Sequence, residues 1–181
     1  MNKSTIKKLN EIFKLGHLPS RNGEDYSIMT FEFINCFAHA CLNLTDKEIV
    51  DFDISEMNSR EFGNFFRRTK EDTSQQIINT LTQAGLKVEP CDQDKVLKPN
   101  QWKVALYFEF FHTINKDFHF LIQEKDGSWS GKVGYSRKCH IFNYLPKEIE
   151  AGKCFYLYYG TYCLTNPYAE KTSVKKTEKS L

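Results

Sequence analysis

Hydrophobic side chains in the first half of the chain recur every three or four residues, the spacing of amphipathic helices. The first helix is predicted over residues 4–15, with Ser4 as its N-cap and Gly16 as its stop. The run Thr45-Asp46-Lys47-Glu48 matches a capping box and predicts the start of a short helix. Further helices are predicted over residues 35–44, 59–68 and 72–84.

The pattern changes after Gly85, where short apolar and aromatic runs are separated by turn residues. Strands are predicted over residues 86–90, 102–110, 118–124, 128–134 and 155–162. Asp126-Gly127 is a strong hairpin signal. A two-residue turn there places His119 opposite Gly134, with Lys132 and Ser136 as its diagonal neighbours.

Helices first and an antiparallel sheet afterwards indicate an α+β protein rather than alternating βαβ units. We expect four to six strands, a common sheet size. Residues 1–166 are predicted to form one α+β domain, with residues 1–16 as a candidate N-terminal helical arm. The Lys-rich residues 167–181 are predicted to be a flexible tail.

The composition excludes several classes of protein. The chain has 181 residues, is 40% hydrophobic and carries a formal charge of +2, which is too small to favour nucleic-acid binding. Apolar runs are shorter than the ~20 residues of a membrane span, and the N-terminus lacks the apolar core of a signal peptide. We therefore expect a cytoplasmic protein that does not associate with membranes.

Six scattered cysteines without a Cys-x-x-Cys pair predict reduced thiols rather than a disulfide framework. A zinc site built from Cys139, His140, Cys154 and Cys163 is a minor alternative, and no metal or organic cofactor is expected.

Two residues carry candidate chemistry. Cys36 stands at the predicted start of a helix, where unpaired backbone N–H groups favour a thiolate. His119 lies in a predicted strand, where an imidazole can serve as proton partner for a thiolate. His39, three residues after Cys36, is a second candidate partner for that thiol.

The surroundings of these residues resemble a known family. The run Asn35-Cys36-Phe37-Ala38-His39-Ala40 resembles the Asn-Cys-Tyr-Ala-Tyr-Ala helix start of a group of papain-like bacterial proteins. The run Asp117-Phe118-His119-Phe120, with Gln123 and the later Asp126-Gly127-Ser128-Trp129-Ser130, is similar to that group's Asp-Tyr-His hairpin. The resemblance implies a papain-like fold, with N-terminal helices packed on a C-terminal antiparallel sheet. It also implies Cys36 as nucleophile and His119 as base.

The chain departs from the family at Gly131, where the group has His, and at Val133, where it has Pro. The third catalytic residue is not evident, and Asp117, two residues from His119 on the same strand face, is the candidate for it.

Two functions remain open. The first is a papain-like thiol hydrolase that cleaves amide or peptide bonds of a protein or peptide substrate. The second is a catalytically inactive papain-like binding protein. A composition rich in Lys, Asn, Ile and Phe is typical of low-GC bacteria and their phages. Such a phage protein would inhibit or redirect a host bacterial protein, for example the RNA polymerase sigma factor.

Overall fold

A computed structural model describes residues 3–19, 34–42, 44–52, 69–110, 117–133, 136–151 and 153–169. Helices come first and strands follow, so the mixed α+β class with an antiparallel sheet is confirmed. The helices are α1 (Lys3–Lys14), α2 (Cys36–Cys41), α3 (Asp46–Phe52) and α4 (Lys70–Gln83). The strands are β1 (Lys87–Pro90), β2 (Gln101–Glu109), β3 (Phe118–Gln123), β4 (Trp129–Lys132), β5 (Cys139–Phe142), β6 (Glu148–Ala151) and β7 (Cys154–Thr165).

Seven strands form one antiparallel sheet in the described part of the chain, in the order β1-β7-β2-β3-β4-β5, with β6 paired to β7. This is one strand more than the upper end of the expected range. The strands β5 and β6, which were not predicted, have four residues each, with no fully buried residue in β5 and two in β6. Their periodicity was therefore too brief to predict them.

The two faces of the sheet carry separate hydrophobic clusters because side chains alternate along a strand. On one face, which we call the helix face, Phe118, Phe120 and Ile122 pack with the helices. On the other, which we call the far face, Leu121 and Tyr107 pack in a second cluster with β6 and Tyr156.

Helix α1 packs into the main core through Leu9, Ile12 and Phe13. Asn166 after β7 donates a hydrogen bond to the carbonyl of Phe13 at 2.9 Å, and Asn10 donates to the carbonyl of Ala84 at 2.8 Å. Hydrogen bonds therefore link α1 both to the C-terminal end of α4 and to the residue that follows β7.

The helix predicted over residues 59–68 and most of the predicted tail, residues 170–181, lie outside the described residues. No helix within the described ranges is long and apolar enough to cross a membrane.

Candidate functional site

Helix α2 positions the first candidate residue. The side chain of Asn35 caps the helix by accepting a hydrogen bond from the backbone N–H of Ala38 at 2.9 Å, and Cys36 is the first helical residue. This start agrees with the sequence prediction. The helix packs on β3 and β4, so its side chains meet the helix face of the sheet.

The environment of Cys36 disfavours a thiolate. Its sulfur lies 3.9 Å from the carbonyl oxygen of Phe118. Burial, with a smaller contribution from the nearby charge of Asp117, raises the pKa of the thiol to about 12. The backbone N–H groups of Phe37 and Phe120 and the charge of Lys132 act in the opposite direction but are outweighed. Because a nucleophilic cysteine reacts as its thiolate, Cys36 is poorly activated in this arrangement.

His119 points to the far face of the sheet. Its ring lies 5.4 Å from the ring of Tyr156, which belongs to the far-face cluster. Burial, with a smaller contribution from His140, lowers the pKa of His119 to about 4. Cys36 packs against the opposite, helix-face cluster. Among the described residues no hydrogen bond joins Cys36 to His119, and the predicted approach of the two side chains stays a prediction.

A one-residue change in the hairpin register explains part of this outcome. Ile122 pairs with Ser130, and Gln123 pairs with Trp129. The loop has three residues rather than two and ends at Gly127, which has a φ of 88°. A one-residue shift moves side chains to the other face of a sheet. Lys132 therefore lies on the helix face, opposite to His119, and not diagonally beside it.

Asp117 does not orient His119 in this structure. One carboxylate oxygen accepts a hydrogen bond from the hydroxyl of Tyr156 at 2.9 Å, and the other accepts from the N–H of Phe118 at 2.8 Å. Within the described chain, no hydrogen bond links it to the imidazole of His119. The catalytic assignment of Cys36, His119 and Asp117 stays a prediction, which the variants proposed below test.

A different cysteine–histidine pair is assembled between α2 and the sheet. The Sγ atom of Cys139, on β5, lies 3.9 Å from Nδ1 of His39, on α2. The other ring nitrogen of His39, Nε2, lies 2.9 Å from the hydroxyl of Ser130 on β4. That hydroxyl donates a short hydrogen bond to Glu124. We call these four residues the Cys139 array.

The hydrogen bonds of the array determine which nitrogen of His39 carries the proton. With Glu124 as a carboxylate, the Ser130 hydroxyl must donate to it, and the serine oxygen then accepts from His39. Nε2 therefore bears the hydrogen, and Nδ1 of the neutral ring offers its lone pair to Cys139. A base held by a third group beside a nucleophile is the arrangement that activates cysteine in enzymes.

Burial and charge support this interpretation. Ser130, His39 and Glu124 are 0%, 3% and 5% exposed, whereas Cys139 is partly exposed, as Cys36 is. Lys132 pairs with Cys139 across β4 and β5. Burial lowers the pKa of Lys132 to about 8, against the attraction of Cys139 and Cys36. A cation beside a thiol favours the thiolate form.

From the sequence, His39 was predicted only as a partner for Cys36. Cys139 was predicted as a zinc ligand or a buried thiol. No local signal marked the array. Ser130 and Lys132 are polar residues at alternate positions of a strand, a pattern that predicts a solvent-facing side. In the structure both are buried. The position of β5 beside β4 was not encoded in any local motif.

The structure does not bring the four candidate zinc ligands together. Cys139 and His140 lie on β5, whereas Cys154 and Cys163 lie on β7, with β2, β3 and β4 between them. Searching the described ranges finds no group of three or more His, Cys, Asp and Glu residues that could hold a metal ion. All six cysteines are free thiols in the structure.

Comparison with known proteins finds no matching family model and no significantly similar curated protein or solved structure.

Proposed function

We propose that this protein is a thiol hydrolase that cleaves amide or peptide bonds, with Cys139 as nucleophile and His39 as base, at positions other than the Cys36 and His119 that the papain-like resemblance implies. The observation that carries the proposal is the pair of contacts on one imidazole, Cys139 at 3.9 Å from Nδ1 and Ser130 at 2.9 Å from Nε2. Contacts between nucleophile and base are often long in unliganded enzymes and shorten when substrate binds.

The reaction follows from these positions. His39 takes the proton of Cys139 at Nδ1, and the thiolate attacks the carbonyl carbon of the substrate. The same Nδ1–H then protonates the leaving amine, so a thioester of Cys139 is formed and the C–N bond breaks. Water attacks the thioester and gives a proton to Nδ1 of His39, the C–S bond breaks to release the acid, and His39 returns the proton to the thiolate of Cys139. Throughout, the Nε2–H of His39 stays bonded to Ser130, and the negative charge of Glu124 stabilises the imidazolium.

Two cysteine variants provide the first test. Cys139→Ala should reduce the hydrolysis of a fluorogenic peptide library by roughly 10³-fold, because the attacking atom is removed. Cys36→Ala is the matched control and should keep turnover within about threefold. The reverse result, with loss in Cys36→Ala and full activity in Cys139→Ala, would assign catalysis to Cys36 and His119 and overturn this proposal.

Thiol labelling tests the same point without knowledge of the substrate. Iodoacetamide labelling between pH 6 and 9, followed by peptide mass spectrometry, reports the alkylation rate of each cysteine. Cys139 should react at least tenfold faster than Cys36 at pH 7, because a pKa of about 12 leaves the Cys36 thiol almost fully protonated there. The variant His39→Asn should remove that advantage. Equal rates for the two thiols in the native protein would contradict the assignment.

The separation of Cys36 from His119 favours a second candidate, a papain-like binding protein without activity. Its partner would be a host bacterial protein such as the sigma factor. In that case the native protein and Cys139→Ala would capture the same stoichiometric partner from a bacterial lysate, and neither would hydrolyse the peptide library.

A further inference from the structure

Strand β5 is the edge of the sheet within the described part of the chain, and it carries Cys139 at its start. The opposite side of β5 from β4 has no strand paired to it among these residues. Exposed sheet edges can bind a further strand through backbone hydrogen bonds, with side-chain contacts providing specificity.

The register shows which backbone groups of β5 face outward. Glu124 donates to the carbonyl of Ser128 at 2.8 Å, so these two residues form a hydrogen-bonded pair. Bonded and non-bonded pairs alternate along an antiparallel ladder. Ser130 therefore directs its backbone groups to β3, and Gly131, one residue later, directs its own to His140 on β5.

It follows that Ile141 forms a non-bonded pair with Ser130. Its N–H and C=O groups then point away from β4, to the outer edge of the sheet. Its side chain is 56% exposed. Cys139 lies two residues earlier on the same face, about 7 Å along the strand.

The edge is also positively charged. Residues 136–144 contain Arg137, Lys138 and His140 but no aspartate or glutamate, and these three basic residues are exposed. Tyr144, just after the strand, is 74% exposed and adds an apolar contact surface. Complementary charge favours an acidic ligand over a basic one.

We propose that β5 binds an acidic peptide in extended conformation as an additional strand, paired with the backbone of Ile141, and that this pairing carries the peptide past Cys139. The proposal rests on the proposed function for its catalytic consequence, because it identifies the substrate of the thiol hydrolase as an extended acidic segment. The binding itself requires only the strand edge and its charges.

The probe is a fluorescein-labelled octapeptide of alternating valine and glutamate, measured by fluorescence polarisation against the full chain carrying Cys139→Ala, which prevents cleavage. The matched valine–lysine peptide should bind at least tenfold more weakly. Two further valine–glutamate peptides are N-methylated, one on the valine amides and one on the glutamate amides. Because a strand pairs through every second residue, one of these two should lose at least tenfold in affinity and the other should stay within about twofold.

Proline substitution tests the protein side. Ile141→Pro removes an N–H group that points outward and should weaken binding at least tenfold. Ile141→Ala keeps that group and serves as the control. Proline is accepted on edge strands where its missing N–H is not needed. Thermal melting checks the fold of both variants, and the N-methylated peptides decide the question if Ile141→Pro does not fold.

No saturable binding of the valine–glutamate peptide, or equal binding of the two N-methylated peptides, would overturn strand addition. Either result leaves the cysteine labelling test of the proposed function unaffected. Conversely, binding that shows the methylation pattern together with equal reactivity of Cys139 and Cys36 would retain the edge site and reject the catalytic role of Cys139.

Discussion

The two faces of β3 and its neighbouring strands each bury one histidine, and the two histidines differ in what surrounds them. His39 enters the helix face from α2, with a thiol at one ring nitrogen and a serine at the other. His119 lies on the far face against the ring of Tyr156, in an apolar environment that keeps it neutral. Burial of an imidazole is therefore not sufficient for acid–base chemistry. Polar partners on both ring nitrogens distinguish the candidate base from a packed side chain.

Gly131 lies beside His119. It occupies the far face of β4, and a Cβ atom there would lie 2.3 Å from Cδ2 of Leu121 and 3.2 Å from Nε2 of His119. The residue that the papain-like group has as histidine cannot be larger than glycine here without displacing the far-face cluster. This close approach gives a physical reason for the departure from the family pattern.

Substituting each histidine separately by asparagine should give the largest difference between the two faces. His39→Asn should reduce turnover by roughly 10² to 10⁴-fold, the usual contribution of a general base. His119→Asn should keep turnover within about threefold, because the ring of His119 packs on Tyr156 on the far face and not in the Cys139 array. Initial rates on the peptide library at pH 7, with circular dichroism as a folding check, decide it. A large loss in His119→Asn with an active His39→Asn would return the base role to His119.

Acid should lower the free energy of unfolding through His119 on the far face. The unfolded chain binds a proton on His119 near pH 6.5, whereas the folded chain binds it near pH 4. Between these values the unfolded state holds more protons, so the free energy of unfolding falls as the pH falls, by roughly 3 kcal/mol over the whole interval. Urea unfolding at pH 7.0 and pH 4.5 measures the difference. The variant His119→Gln should show a clearly smaller difference, and an unchanged one would mean that His119 is not the group responsible.

Adding a side-chain methyl group at Gly131 should lower the free energy of unfolding by a smaller amount. Gly131→Ala is expected to lower the free energy of unfolding by about 2 kcal/mol, because the added methyl overlaps Leu121 and lies 3.0 Å from the carbonyl of Phe120. Gly160→Ala is the matched control, since the nearest atom to a Cβ there is 3.6 Å away, on Tyr162. Urea denaturation should show the larger loss in Gly131→Ala. Equal losses in the two variants would show that the faces are less tightly packed than these distances indicate.

Local signals in the sequence predicted the elements well where neighbouring residues determine them. The capping box forms as expected, since the N–H of Thr45 donates to Glu48 at 2.8 Å and the N–H of Glu48 donates to Thr45 at 3.3 Å. The start of α2 at Cys36 and the order of helices before strands also agree with the prediction, and a hairpin forms around Gly127 with a loop one residue longer than predicted. These features depend on contacts three or four residues apart, which a sequence pattern contains directly.

The face on which each side chain lies was decided by the tertiary structure. One extra residue in the hairpin loop placed Lys132 on the helix face, and the strand period of two placed His119 on the face opposite to Cys36. The meeting of His39 with Cys139 joins residues one hundred positions apart and depends on α2 packing over β4 and on β5 adding to that edge. Such contacts arise from the packing of whole elements. The sequence by itself therefore determined which residues could carry chemistry, and only the assembled sheet determined which of them meet.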